Sequence, residues 1–101
     1  MFPLDQIPEN GSKGFDWQGT RFLVVRLNSQ LYLYENRCPH LGIPLEFLPD
    51  QFLDREKRFI VCANHGALFE ISSGYCVSGP CGGQTLTSRS FTIRNGHLYI
   101  Q

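Results

Sequence analysis

The sequence predicts an all-β protein, a small antiparallel β sandwich or partly open barrel, and three observations carry that expectation. Short runs rich in β-branched and aromatic residues recur along the chain, turn-forming Gly, Pro, Asn and Asp punctuate them, and no segment keeps a helical period for long. The 101 residues fit one domain, taken here as 1–101, and leave no room for a second catalytic domain. Eight Phe, four Tyr and one Trp supply a packed core, although a chain of this size often needs a metal as a further cross-link.

Taken in order, the clearest strands are 21–27 and 31–35, joined by the polar turn Asn28-Ser29-Gln30. In the second, Leu31 and Leu33 alternate with Tyr32 and Tyr34, giving one aliphatic and one aromatic face. Segment 44–57 is interrupted by Pro44 and Pro49 and ends in Asp54-Arg55-Glu56-Lys57, so it reads as an exposed excursion. Strands follow at 58–62 and 67–71. A last pair, 90–94 and 97–100, flanks Asn95-Gly96, the strongest hairpin signal in the chain.

Nine Lys and Arg balance nine Asp and Glu, and no basic run occurs, which argues against a nucleic-acid partner. Met1-Phe2-Pro3-Leu4-Asp5 does not open a signal peptide, and no stretch approaches the roughly 20 apolar residues of a membrane span. The expectation is a cytoplasmic protein without a membrane partner. Four Cys in that reducing compartment suggest thiols, metal ligands or redox groups before structural disulfides.

Two segments carry the chemistry: Cys38-Pro39-His40-Leu41-Gly42 and Cys62-Ala63-Asn64-His65-Gly66. Each offers one thiolate and one imidazole from a single tight loop, where Pro39, Gly42 and Gly66 supply the fixed and permissive backbone angles needed. Both sit at or just after the end of a predicted strand, so the ligands would sit at two opposed loop tips. Two Cys with two His suit either zinc or a 2Fe-2S cluster, and ligand type alone leaves both open. The order favours the cluster: zinc fingers commonly pair Cys with Cys and His with His, whereas each loop here is mixed.

The C-x-H and C-x-x-H segments resemble the Rieske 2Fe-2S family. The resemblance extends through His65-Gly66-Ala67-Leu68-Phe69 and Gly74 to Gly79-Pro80, which is similar to the family's third, proline-containing loop. It covers nearly the whole chain, with the cluster-binding part at about 36–83. It implies one 2Fe-2S cluster held by Cys38, His40, Cys62 and His65. Two features depart from the common pattern: the 21-residue gap between the motif halves, 41–61, is long, and Cys81 stands where many relatives have no thiol.

Within the family, cytochrome-complex members carry an extra Cys in each cluster loop, where this chain has Ile43 and Asn64. They also place hydroxyls near the cluster where this chain has Ala67 and Phe69. Without those donors the reduced cluster is less stabilised. The resemblance therefore selects a low-potential, bacterial-type Rieske ferredoxin without a cluster-loop disulfide. Its midpoint should lie at the lower end of the roughly −150 to +300 mV Rieske range.

The implied function is a one-electron carrier between a reductase and a terminal oxygenase or other redox partner. Partners would dock near the His ligands on an apolar rim of Leu41, Pro44 and Pro80. The chain is not itself an enzyme: His97 reads as a surface residue, and with the other two His committed no two-His, one-carboxylate iron site can form. Alternatives are a non-catalytic small subunit like that of nitrite reductase and a zinc-stabilised structural domain. Cys76 and Cys81 read as ordinary loop thiols, with a disulfide between them as the alternative, and Trp17, Tyr32 and Tyr34 as core or sheet-face residues.

Overall fold

A computed structural model describes residues 2–39, 42–46, 48–64 and 66–101. Among these, the strands in chain order are β1 (Phe2–Pro3), β2 (Gly11–Trp17), β3 (Thr20–Leu27), β4 (Gln30–Glu35), β5 (Phe59–Cys62), β6 (Ala67–Glu70), β7 (Cys76–Ser78), β8 (Phe91–Arg94) and β9 (His97–Ile100), with one 3-10 turn at Leu4–Gln6. They form three antiparallel three-stranded sheets, β1-β9-β8, β2-β3-β4 and β5-β6-β7. No helix among the described residues is long and apolar enough to cross a membrane.

The sheet of β2, β3 and β4 lies between two cores. Along β3, Phe22, Leu23, Val24 and Val25 are all fully buried, the continuous apolar run expected of a strand covered on both faces. Because successive side chains point to opposite faces, Phe22 and Val24 join Leu33, Ile7, Leu98 and Ile100 on one side. Leu23 and Val25 join Tyr34, Phe52, Ile60 and Phe69 on the other. At roughly 1.5–3 kcal/mol for each fully buried side chain, this one strand anchors both halves of the molecule.

Three hairpin turns are closed by residue pairs at positive φ: Gln18-Gly19 at 50° and 79°, Asn28-Ser29 at 51° and 66°, and Asn95-Gly96 at 51° and 72°. Two positive φ values make the turn whose twist matches the flanking strands. The expected turns at Asn28 and Asn95 are present, and Gln30 already belongs to β4.

Three strands lay outside the sequence expectation: β1, which pairs Phe2 with Leu98 and Pro3 with His97 of β9, β2 and β7. β2 reads Gly-Ser-Lys-Gly-Phe-Asp-Trp, a composition poor in strand formers, yet it pairs with β3 along its whole length, from Gly11 opposite Arg26 to Trp17 opposite Thr20. β7 is only three residues long and pairs with β6 across a bulge.

The exposed excursion expected at 44–57 needs correction. Leu45 and Phe52 within it are fully buried. Val61 donates to the Phe52 carbonyl at 2.8 Å and Asp54 to the Phe59 carbonyl at 3.0 Å, so the segment returns along the edge of β5. The Phe52 ring fits against Gly14, where a Cβ would stand 3.1 Å from it. Asp50 fastens the segment to β2 by accepting the Gly14 N–H at 2.8 Å and the Lys13 ammonium at 3.0 Å. Burial works to raise the Asp50 carboxyl, but the Gly14 N–H and Lys13 outweigh it and hold it below its usual range. Leu48, Pro49, Gln51 and the charged end, Arg55 to Lys57, are exposed as expected.

Candidate metal centre

Cys38 follows β4 by three residues and Cys62 ends β5, and both are fully buried in the same core. Past each cysteine the same backbone hydrogen bond recurs. Gly42 donates its N–H to the Cys38 carbonyl at 2.6 Å, and Gly66 donates to the Cys62 carbonyl at 2.8 Å, each four residues on. Both glycines lie at positive φ, 73° and 70°, a region that favours glycine. Each turn thus runs from a buried cysteine to an exposed glycine.

The two turns are joined to each other. Ala63, next to Cys62, donates its N–H to the Leu45 carbonyl at 2.8 Å, and the Asn64 amide donates to the Pro44 carbonyl at 3.2 Å. Asn64 occupies one of the two positions where the resemblance puts a loop cysteine in disulfide-bearing relatives, so a hydrogen bond links the loops at that place. Behind the first turn, buried Asn36 accepts the Leu45 N–H on Oδ1 and donates from Nδ2 to Glu46 Oε1, both at 2.8 Å.

A third loop packs on the start of β6. Gly79 comes so near β6 that a Cβ on it would stand 2.7 Å from Ala67 Cα. Beyond it, Cys81 is buried in the same core as Cys38. Burial, and then the neighbouring Cys76 and Cys38 sulfurs, push the Cys81 thiol up to about 12.

His40 and His65 lie outside the described residues, as does Leu41 of the expected rim. The other two rim residues are Pro44, half-buried, and Pro80, exposed. Beside Pro44 the Arg37 guanidinium lies against Gly42, with Nε and Nη2 each 3.1 Å from where a Cβ would be. Sequence reasoning missed both Arg37 and Asn36; their positions just before Cys38 carry no pattern that separates them from ordinary loop residues.

The donor chemistry fits an iron–sulfur cluster on its thiolate side. Two sulfurs start from equivalent turns in one dry core, and a hydrogen-bonded frame fixes the two loops against each other. The Rieske [2Fe-2S] domain model matches residues 1–92. The chain belongs to the Rieske family.

Membership implies one 2Fe-2S cluster as cofactor. Solved Rieske structures share the fold. The ferredoxin of carbazole 1,9a-dioxygenase from Nocardioides aromaticivorans IC177 superposes with a TM-score of 0.77 at 22% identity, over 97% of this chain and 90% of that one. A structure of the reduced complex between oxygenase and ferredoxin in carbazole 1,9a-dioxygenase gives 0.83 at 22% identity, over 99% of this chain. The terminal oxygenase of carbazole 1,9a-dioxygenase from Novosphingobium sp. KA1 gives 0.81 at 19% identity, over 97%. In the latter two the Rieske chain described here spans 27% of the matched chain. No curated protein matches it.

Proposed function

We propose that the chain is a ferredoxin-type one-electron carrier, not itself an enzyme, in which Cys38 and Cys62 hold one iron of the cluster and His40 and His65 the other. The observation that carries this reading is the pair of equivalent cysteine turns, hydrogen-bonded to each other through Leu45 and Ala63. A bound cluster of this type supplies reversible one-electron chemistry.

The residues around it have definable tasks. Burial of Cys38 and Cys62 keeps water from the sulfurs, and the contacts of Asn36, Leu45 and Asn64 keep the loops at fixed separation, so that little reorganisation accompanies charge transfer. His40 and His65 stand in sequence between buried cysteines and exposed glycines, which suits ligands at the outer side, near a docking partner. Ala67 and Phe69, both fully buried, present no hydroxyl, and that supports a potential at the low end of the family range.

Pro44, Pro80 and Arg37 supply an apolar rim with one positive charge for transient docking. The partners that fit are a reductase as donor and a terminal oxygenase as acceptor, since the matched ferredoxin aligns over 90% of its own length. A cytoplasmic location fits free thiols at Cys76 and Cys81.

Iron and acid-labile sulfide analysis, run beside reductase-coupled electron transfer, tests the proposal. Two irons and two sulfides per chain are expected, lost in Cys38→Ser and Cys62→Ser and lost or altered in His40→Ala and His65→Ala. Stoichiometric zinc, or a cluster indifferent to these substitutions, would overturn it.

A further inference from the structure

Cys76 and Cys81 are used neither by the frame around the metal centre nor by the proposed ligand set, yet their side chains meet. Cys76 opens β7 and Cys81 follows Gly79-Pro80 in the third loop; each is 1% exposed. Their Sγ atoms are 2.7 Å apart, about 0.65 Å from the ~2.05 Å of a covalent S–S bond. Cys76 Sγ has a second polar contact, to the Ser78 carbonyl at 3.3 Å.

The backbone already holds the pair in place. Cys76 donates its N–H to the Gln84 carbonyl at 2.8 Å, Gln84 donates to the Cys81 carbonyl at 2.9 Å, and Gly82 donates to the Gly79 carbonyl at 3.2 Å. These bonds fold the third loop back onto β7 with the two sulfurs inside. On the loop's other side Gly79, at φ 102°, rests on Ala67. Joining the sulfurs therefore needs a side-chain adjustment and no rearrangement of the loop.

We propose that Cys76 and Cys81 form a thiol–disulfide modification site, oxidised by exchange with a low-molecular-weight disulfide of the glutathione class. Both S–H bonds break and one intrachain S–S bond forms. The S–S bond of the small disulfide breaks, and two released thiols carry away both protons and both electrons. Gly79, Pro80, Gly82 and Gly83 are exposed, so opening of this loop gives the small disulfide its route to the buried sulfurs. The product staples the third loop to β7. The inference concerns only these two sulfurs and stands whether or not the other two cysteines bind iron.

The test uses the intact holoprotein. It is incubated with excess oxidised glutathione, then unfolded in denaturant with chelator and N-ethylmaleimide, and weighed whole. Two maleimide adducts on the chain's four cysteines are expected, with the loss of two hydrogen masses, peptide mapping of the link to Cys76 and Cys81, and return to four adducts after dithiothreitol. Four adducts without reductant, a lasting glutathione adduct on either residue, or a link to Cys38 or Cys62 would overturn it. Cys76→Ser, where it folds, should retain no intrachain link; the wild-type measurement decides the matter without it.

Discussion

Asn36 is the side chain on which the frame of the metal centre most depends. Its Oδ1 is the partner of the Leu45 N–H, and Leu45, fully buried, has no access to water. Asn36→Ala leaves that N–H without an acceptor at a cost of about 1–3 kcal/mol. It also removes the bond to the Glu46 carboxylate, worth roughly another 1 kcal/mol at a half-buried site. Because the Leu45 carbonyl holds Ala63, the loss reaches the second cysteine turn through one residue. The sum, about 2–4 kcal/mol, should lower the urea midpoint by roughly 1–4 M at the slope of about 1–2 kcal/mol/M expected for a small domain, followed by the fluorescence of the single Trp17.

Asn36→Asp separates the two contributions. It keeps the acceptor for Leu45 but sets a carboxylate against Glu46, so its deficit should shrink as pH falls and the carboxylates take up protons. A loss under about 0.5 kcal/mol in Asn36→Ala, the ordinary range for surface changes, would refute the claim that this residue supports the loops.

Three further outcomes are expected. The buried Tyr34 hydroxyl donates to the Ile71 carbonyl at 2.6 Å; burial, and then Tyr32, push its pKa from 10.0 up to about 12. The folded state keeps this proton after the unfolded chain has lost it, so the contribution is whole below pH 10 and falls by up to about 2–3 kcal/mol between pH 10 and 12. Tyr34→Phe should be less stable than wild type at neutral pH by about 1–3 kcal/mol, and the gap in urea midpoint should close across that window; a constant gap would count against it. Gly79→Ala should cost about 2–5 kcal/mol through backbone overlap with Ala67 and its positive φ, whereas Gly66→Ala, with nothing within 4 Å, should cost only the roughly 1–2 kcal/mol of its φ; equal thermal shifts would refute the close approach. Ala67→Ser restores a hydroxyl where cytochrome-complex relatives have one, and a bond stronger by about 1 kcal/mol in the reduced state raises a one-electron midpoint by about 40 mV; an unchanged or lower midpoint in protein-film voltammetry would contradict the low-potential argument.

What the sequence made legible follows from where its signals are local. The Asn95-Gly96 hairpin and β3 were readable because turn chemistry and a run of β-branched and aromatic residues act within a few positions. β2 was not, since Gly11, Gly14 and Asp16 oppose a strand and only pairing with β3 over its full length overrides them. Phe52 was hidden for a related reason: two prolines mark its segment as a loop, and its burial depends on a distant glycine, Gly14.

The same division holds at the metal centre. Cys38 and Cys62 could be chosen because C-x-H and C-x-x-H are contiguous patterns, and the structure brings both into one core. Asn36, Arg37 and the Leu45–Ala63 bond are products of tertiary approach. The expected excursion at 44–57 failed there as well, because Leu45, taken for part of an exposed loop, supplies the carbonyl that links the two cysteine turns.

Electron paramagnetic resonance of the dithionite-reduced protein tests mixed ligation most directly. One spin per chain is expected, with an average g value below that of all-thiolate 2Fe-2S proteins and a spectrum changed by His40→Cys or His65→Cys. A silent, colourless protein containing zinc, or an all-thiolate spectrum unaffected by either histidine substitution, would contradict the assignment of Cys38, His40, Cys62 and His65.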